Sequence, residues 1–142
     1  MKILIVAPDF YPTNGGYANA IVNFVNGLSQ SGAVQVFVYT PTQLGNNYEL
    51  DVPNVRCFRY RVRKIFFLGT IVWELISYLK LRRILKDNDV DCVLFETAEF
   101  GILGCLLLRS FKNIAVRIHA CAETETTIWG KGLYNRYHSF FI

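Results

Sequence analysis

Short apolar runs alternate along the chain with longer segments in which apolar residues recur every three or four positions. The short runs are rich in Ile and Val and are bounded by turn residues, which is typical of buried β-strands. This pattern predicts strands over residues 2–7, 34–40, 55–62, 90–96 and 113–119. Helical spacing predicts helices over residues 17–29, 70–87, 101–110 and 129–140, and the polar segment 42–53 is predicted to be a loop.

Strands that alternate with helices indicate βαβ units, which join parallel strands by right-handed crossovers. The predicted fold is therefore α/β, a Rossmann-like three-layer domain with a mostly parallel sheet and helices on both faces. Pro41 is expected to end the second strand, and Gly32 to end the first helix. The third strand alternates apolar residues with arginines, which places it nearer the edge of the sheet, with one face in water.

The composition is more apolar than that of an ordinary soluble domain. Of the 142 residues, 52% are hydrophobic and only 18% are charged. Either a parallel sheet buried on both faces accounts for this, or the domain carries extra apolar surface for a partner or a membrane. No linker or internal repeat is visible, so residues 1–142 are read as one domain. The apolar end Phe140-Phe141-Ile142 is read as a truncation, with a C-terminal domain missing.

The amino terminus enters a strand pattern at once and shows no signal peptide. The four cysteines lack CxxC spacing, and three of them lie in apolar runs, so we expect buried, reduced thiols rather than a zinc site. Both observations favour a cytoplasmic protein without a metal.

Polar residues follow the ends of three predicted strands. In an open parallel sheet, ligands bind beyond the carboxyl ends of the strands, so these residues are candidates for a binding site. The candidates are Asp9, Asn14, Gly15 and Gly16 after the first strand, Glu96 and Glu99 after the fourth, and His119 at the end of the fifth.

Each of these candidates also has a structural interpretation. The glycine pair opens a helix and suits an anion, because glycine lets backbone N–H groups approach a phosphate, but it is equally an ordinary tight turn. Glu96 and Glu99 either accept hydrogen bonds from a ligand or favour a helix start. His119 is either a site residue or a structural histidine. The chain has neither GxGxxG after its first strand nor a P-loop, which disfavours a nicotinamide-dependent oxidoreductase.

A basic and aromatic stretch follows the third strand. Its members are candidates for contact with an anionic membrane surface: Arg61, Arg63, Lys64, Phe66 and Phe67. The alternative is a solvated edge strand followed by a helix that faces the core. Nucleic-acid binding is disfavoured, because the formal net charge is only +4 and no recognition module is visible.

Taken in order, these motifs resemble the N-terminal domain of glycosyltransferase family 4. The members of this family are retaining enzymes of the GT-B architecture. The resemblance is carried by Pro8-Asp9-Phe10-Tyr11-Pro12 with Gly15-Gly16, by the valine-rich second strand, by Glu96-Thr97-Ala98-Glu99-Phe100-Gly101, and by Val116-Arg117-Ile118-His119. It runs through essentially the whole chain, although Ser31-Gly32-Ala33 lacks the Gly-His pair that the family usually shows.

The resemblance implies transfer of a sugar from a nucleotide-diphosphate sugar to an acceptor hydroxyl, with no other cofactor. Gly15 and Gly16 would lie near the donor diphosphate, His119 near the transferred sugar, and Asp9, Asn14, Glu96 and Glu99 on the acceptor side. The implied acceptor is a glycan or lipid-linked molecule of cell-envelope or surface polysaccharide synthesis, reached at the inner face of the membrane. The chain alone would then be inactive. The alternative is a stand-alone Rossmann-like binding or regulatory module without catalysis.

Overall fold

A computed structural model describes residues 1–13, 15–42, 50–60, 68–96, 106, 109, 111 and 113–117, with residues 68–74 described by their backbone alone. Five strands and two helices lie within these ranges. The strands are β1 (Lys2–Val6), β2 (Gln35–Pro41), β3 (Val55–Tyr60), β4 (Cys92–Phe95) and β5 (Ile114–Val116). The helices are α1 (Gly16–Gln30) and α2 (Leu68–Asn88).

The five strands form one sheet in the order β3-β2-β1-β4-β5, and every neighbouring pair is parallel. This confirms the predicted α/β fold and its parallel sheet. It also confirms that β3 lies at an edge, where Arg56 is exposed to water. The direction in which strands are added to the sheet reverses at β1, since β2 and β3 lie on one side of it and β4 and β5 on the other.

The two helices cover opposite faces of the sheet. Alternate residues of each strand point to opposite faces, so each helix packs on its own set of strand residues. Ile21 and Val25 of α1 pack on the first face, with Ile5, Ala7, Phe10, Val34, Val36 and Val38. Leu81, Ile84 and Leu85 of α2 pack on the second, with Leu4, Val6, Phe37, Tyr39, Tyr60, Val90, Val93 and Phe95. Burial on both faces explains much of the apolar composition.

The predicted end of the second strand, at the residue before Pro41, is wrong by one residue. Pro41 does not stop β2 but is its last residue and pairs with Tyr60 of β3. A proline is tolerated there because β1 ends opposite Tyr39, so no strand on that side needs an N–H from position 41. The ladder to β3 is not interrupted, because the N–H of the next residue, Thr42, donates to the Tyr60 carbonyl at 2.7 Å. Gly32 does follow α1, and its φ of 66° is the left-handed conformation that favours glycine.

Several predictions fall outside the described residues. They are the helix over 129–140, the helix over 101–110 apart from residues 106 and 109, most of the loop over 42–53, and the ends of the strands over 55–62 and 113–119. Cys57 and Cys92 form no disulfide and are half-buried, whereas full burial was expected.

Candidate functional site

The point where the strand order reverses lies between β1 and β4, and open α/β sheets bind ligands beside this point. The carboxyl ends of the two strands are joined there, because the Glu96 N–H donates to the Val6 carbonyl at 3.0 Å. The turn after β1 and the residue that follows β4 are therefore neighbours. The sequence placed Asp9, Gly15, Gly16 and Glu96 at this rim, and the fold brings these segments to one edge of the sheet.

The glycine pair begins α1. Gly15 occupies the N-cap position with φ −174° and ψ 158°, an extended conformation open to any residue. No described side chain caps the helix, and its first turn contains no acidic residue. A Cβ built at Gly15 or at Gly16 would meet no described atom within 4 Å. Neither backbone strain nor packing within the described residues therefore requires glycine here, and the first N–H groups of a helix have no partner within the helix itself.

Tyr17 ties this helix start to the end of β4. Its hydroxyl donates a hydrogen bond to the Glu96 backbone carbonyl at 3.0 Å. Because Tyr17 directly follows Gly16, this contact sets the distance between the glycine turn and the end of the fourth strand.

The Glu96 side chain is fully buried, with 0% of its surface exposed. Its Oε2 accepts a hydrogen bond from Arg117 Nε at 2.8 Å and lies 2.7 Å from Arg117 Nη2. Two guanidinium nitrogens thus contact one carboxylate oxygen, which offsets the cost of taking that charge out of water. The geometry shows Glu96 in contact with Arg117; a direct contact with an acceptor stays a prediction.

Sequence reasoning gave no role to Arg117, to Tyr17 or to Phe24. The Arg117 guanidinium lies over the Phe24 ring of α1, with its Cζ 4.1 Å from the ring centroid. One signal was available, because Arg117 is a charge within the apolar run of the last predicted strand, and a charge in such a position needs a partner. The sequence does not say that Glu96 is that partner. We call Tyr17, Phe24, Glu96 and Arg117 the rim cluster.

Asp9 is exposed in the turn after β1. Burial is the main cause of the raised pKa of Tyr60, and the neighbouring Tyr39 and the charge of Asp9 raise this pKa further. Tyr39 and Tyr60 are stacked with ring centroids 4.6 Å apart. Burial raises the pKa of Tyr39 too, while the hydrogen bond from its hydroxyl to Ser77 Oγ lowers it in part. Both phenols are therefore neutral near pH 7.

The remaining predicted site residues lie outside the described part of the chain: Asn14, Glu99 and His119, together with Arg61, Arg63, Lys64, Phe66 and Phe67. Within the described part, no group of three or more His, Cys, Asp or Glu side chains is placed to hold a metal ion.

A second surface is formed by the outward side of α2. Three of its apolar side chains are exposed, Leu75, Ile76 and Leu79. The basic side chains that continue this face are exposed as well: Lys80, Arg82, Arg83 and Lys86. Among the described helices, none is long and apolar enough to cross a membrane.

The sequence profile of Glycosyltransferase Family 4 matches residues 14–141. The chain belongs to glycosyltransferase family 4. Its fold is similar to part of a sucrose-phosphate synthase from Thermosynechococcus elongatus, with a TM-score of 0.66 at 11% sequence identity. The match covers 92% of this chain and 36% of the synthase, so the chain spans about a third of that protein's length. No curated protein sequence matches the chain. These findings confirm the resemblance to an N-terminal domain of a GT-B glycosyltransferase.

Proposed function

We propose that the chain is the acceptor-side half of a retaining glycosyltransferase that moves a hexosyl group from a nucleotide-diphosphate sugar to an acceptor hydroxyl. The observation that carries the proposal is the helix start at Gly15 and Gly16, which has no described side-chain cap, in a chain of this family. It lies beside the point where the strand order reverses. The proposed setting is cell-envelope or surface polysaccharide synthesis.

The physical argument concerns charge on the leaving group. When the bond between the anomeric carbon and the diphosphate oxygen breaks, its electron pair leaves with the nucleoside diphosphate. N–H groups at a helix start, together with the helix dipole, stabilise such a charge without having to reorganise. A side chain at Gly15 or Gly16 would occupy the space that the diphosphate needs. No cofactor other than the nucleotide sugar is required.

The other residues receive roles from the family resemblance. His119 would lie near the transferred sugar, and Asp9, Asn14 and Glu99 on the acceptor side. Glu96 was placed with them, but its buried contact with Arg117 favours an indirect part for its carboxylate.

The test of the proposed function is a sugar-transfer assay on the full-length protein, with a panel of nucleotide sugars and membrane extract as acceptor source. We expect one donor to be consumed, the product to keep the anomeric configuration by NMR, and His119→Ala to abolish turnover. Consumption of no nucleotide sugar would refute the enzyme and favour a binding module. Turnover that survives in His119→Ala would leave the transferase standing and remove the role of His119.

The anion site has its own matched pair of variants. Gly15→Val fits the extended backbone but places methyl groups in the open space at the helix start. Gly27→Val adds the same groups in the middle of α1, also in open space. We expect Gly15→Val to raise the KM for the nucleotide sugar about tenfold, which corresponds to the loss of one good polar contact, and Gly27→Val to leave it unchanged. Equal KM values in the two variants would refute the diphosphate site.

We further propose that this half contacts an anionic membrane surface, where a lipid-linked acceptor would be found. The outward face of α2 favours this partner, since it combines exposed apolar side chains with four exposed cations. The basic and aromatic residues 61–67 would extend the same surface.

Vesicle sedimentation tests the membrane contact. Binding to vesicles with 30% phosphatidylserine, on the order of 1 kcal/mol per neutralised cation, should fall when Arg82 and Arg83 are replaced by Ser, and should weaken with salt. Neutral vesicles should not bind. The control is Arg56→Ser, an exposed arginine on β3 rather than on α2, which should bind as wild type does. Equal binding of all variants would refute this surface.

A further inference from the structure

The rim cluster joins three separate segments of the chain. Tyr17 and Phe24 belong to α1, Glu96 follows β4, and Arg117 follows β5. Both strand ends are already held by backbone hydrogen bonds, from the Glu96 N–H to the Val6 carbonyl at 3.0 Å and from the Arg117 N–H to the Phe95 carbonyl at 2.7 Å. The side chains of the cluster therefore attach α1 to a part of the sheet whose own position is fixed.

The attachment has two points on the helix. Tyr17 and Phe24 are seven residues apart, two turns on one face, so they lie about 10 Å apart along the axis. Tyr17 is held through the Glu96 carbonyl at 3.0 Å, and Phe24 lies beneath the Arg117 guanidinium at 4.1 Å. Together with the packing of Ile21 and Val25 on the sheet, these two contacts fix the direction of the helix axis.

We infer that Arg117 is a positioning residue: through Glu96 and Phe24 it fixes the amino terminus of α1, with Gly15 and Gly16, against the carboxyl ends of β4 and β5. Its guanidinium contacts a carboxylate and an aromatic ring at once, a combination that suits the planar, delocalised charge of arginine better than the ammonium of lysine. The link to sugar transfer rests on the proposed function; the link to the position of α1 does not.

The experiment uses the full-length protein and two readouts. The first is the position of the amide signals of Gly15 and Gly16 in the ¹H–¹⁵N NMR spectrum of glycine-labelled protein, which reports on the helix start without activity. The second is kcat and KM for the nucleotide sugar, measured well below the midpoint of thermal unfolding. We expect Arg117→Met to move both glycine signals and to lower kcat at least tenfold. Arg117→Lys should fall between Met and wild type, since it keeps the charge but not the planar group.

The matched control is Arg56→Met. Arg56 also lies over an aromatic ring, with its Cζ 5.2 Å from the Phe58 centroid, but it is exposed on β3 at the edge of the sheet. This variant should leave the glycine signals and kcat unchanged.

Wild-type glycine signals and a kcat within twofold of wild type in Arg117→Met would overturn the inference. Should Arg117→Met fail to fold, Phe24→Leu replaces it, because this variant keeps the ion pair and loses only the ring beneath it. Its glycine signals should then shift, and unshifted signals would overturn the inference. If the wild-type protein consumes no nucleotide sugar, the proposed function fails while the glycine signals still decide the positioning role.

Discussion

Replacing Arg117 by methionine should destabilise the fold far more than replacing its partner. Arg117→Met keeps most of the side-chain volume but removes both nitrogens that contact Glu96 Oε2. The Glu96 carboxylate, with 0% of its surface exposed, would stay buried without the guanidinium. Loss of one partner from a buried ion pair costs about 3–5 kcal/mol, a large share of the 5–15 kcal/mol by which a domain is stable.

The reverse substitution is milder for a structural reason. Glu96→Gln removes the buried charge but keeps the shape and an amide oxygen that can accept from Arg117 Nε. We expect a cost of about 1–3 kcal/mol, the usual range for a weakened charged hydrogen bond. The double variant should cost less than the sum of the two single variants, because Arg117→Met no longer leaves a buried charge. The coupling should be about 1–3 kcal/mol.

Urea unfolding at pH 7, monitored by circular dichroism, gives the free energy of unfolding of wild type, of the two single variants and of the double variant. Arg56→Met is the control, and its cost should stay below about 1 kcal/mol because its ring contact is exposed. Costs of Arg117→Met and Glu96→Gln that agree within about 0.5 kcal/mol, or a coupling near zero, would refute the reasoning that burial of Glu96 sets the penalty.

Three further variants test other parts of the fold, each by its free energy of unfolding in urea. Tyr60 has a raised pKa in the fold and about 10 when unfolded, so stability should decline above pH 10; Tyr60→Phe should lose about 1 kcal/mol less than wild type between pH 10 and 11. Ser77→Ala removes the partner of the buried Tyr39 hydroxyl and should cost about 1–2 kcal/mol. Gly32→Ala places a Cβ at a φ of 66° and should cost about 1 kcal/mol. A wild-type pH dependence in Tyr60→Phe, or a wild-type free energy of unfolding in Ser77→Ala or Gly32→Ala, would contradict the corresponding prediction.

The architecture could be predicted because apolar periodicity reports directly on burial. The central residues of β1 and β2 are buried on both faces and form apolar runs, whereas β3 shows an alternation because it lies at the edge. The end of β2 could not be predicted from Pro41 alone. Whether a proline ends a strand depends on whether a neighbour needs its N–H, and that depends on where β1 stops.

The candidate site was predictable only as far as single positions allow. The rule that ligands bind at the carboxyl ends of parallel strands located Asp9, Gly15, Gly16 and Glu96 without knowledge of their contacts. The rule left Glu96 with two roles, contact with a ligand or support of a helix start, and the family resemblance placed it on the acceptor side. The structure buries that carboxylate on Arg117, a residue 21 positions away in the chain, and pairing over such a distance is set by the sheet order rather than by local sequence.

The arrangement at the rim divides two tasks between two kinds of group. The helix start at Gly15 and Gly16 offers backbone N–H groups. The strength of the hydrogen bonds that they donate depends on the direction of the N–H bonds, and no side-chain rotation can change that direction. The orientation of these N–H groups is therefore set by the position of α1 as a whole, and the rim cluster attaches α1 at both Tyr17 and Phe24. A buried ion pair contributes little net stability compared with apolar packing of the same volume, but it is costly to break and so holds one geometry. Reliance on Glu96 and Arg117 at this place is consistent with a need for a fixed helix direction more than for stability alone.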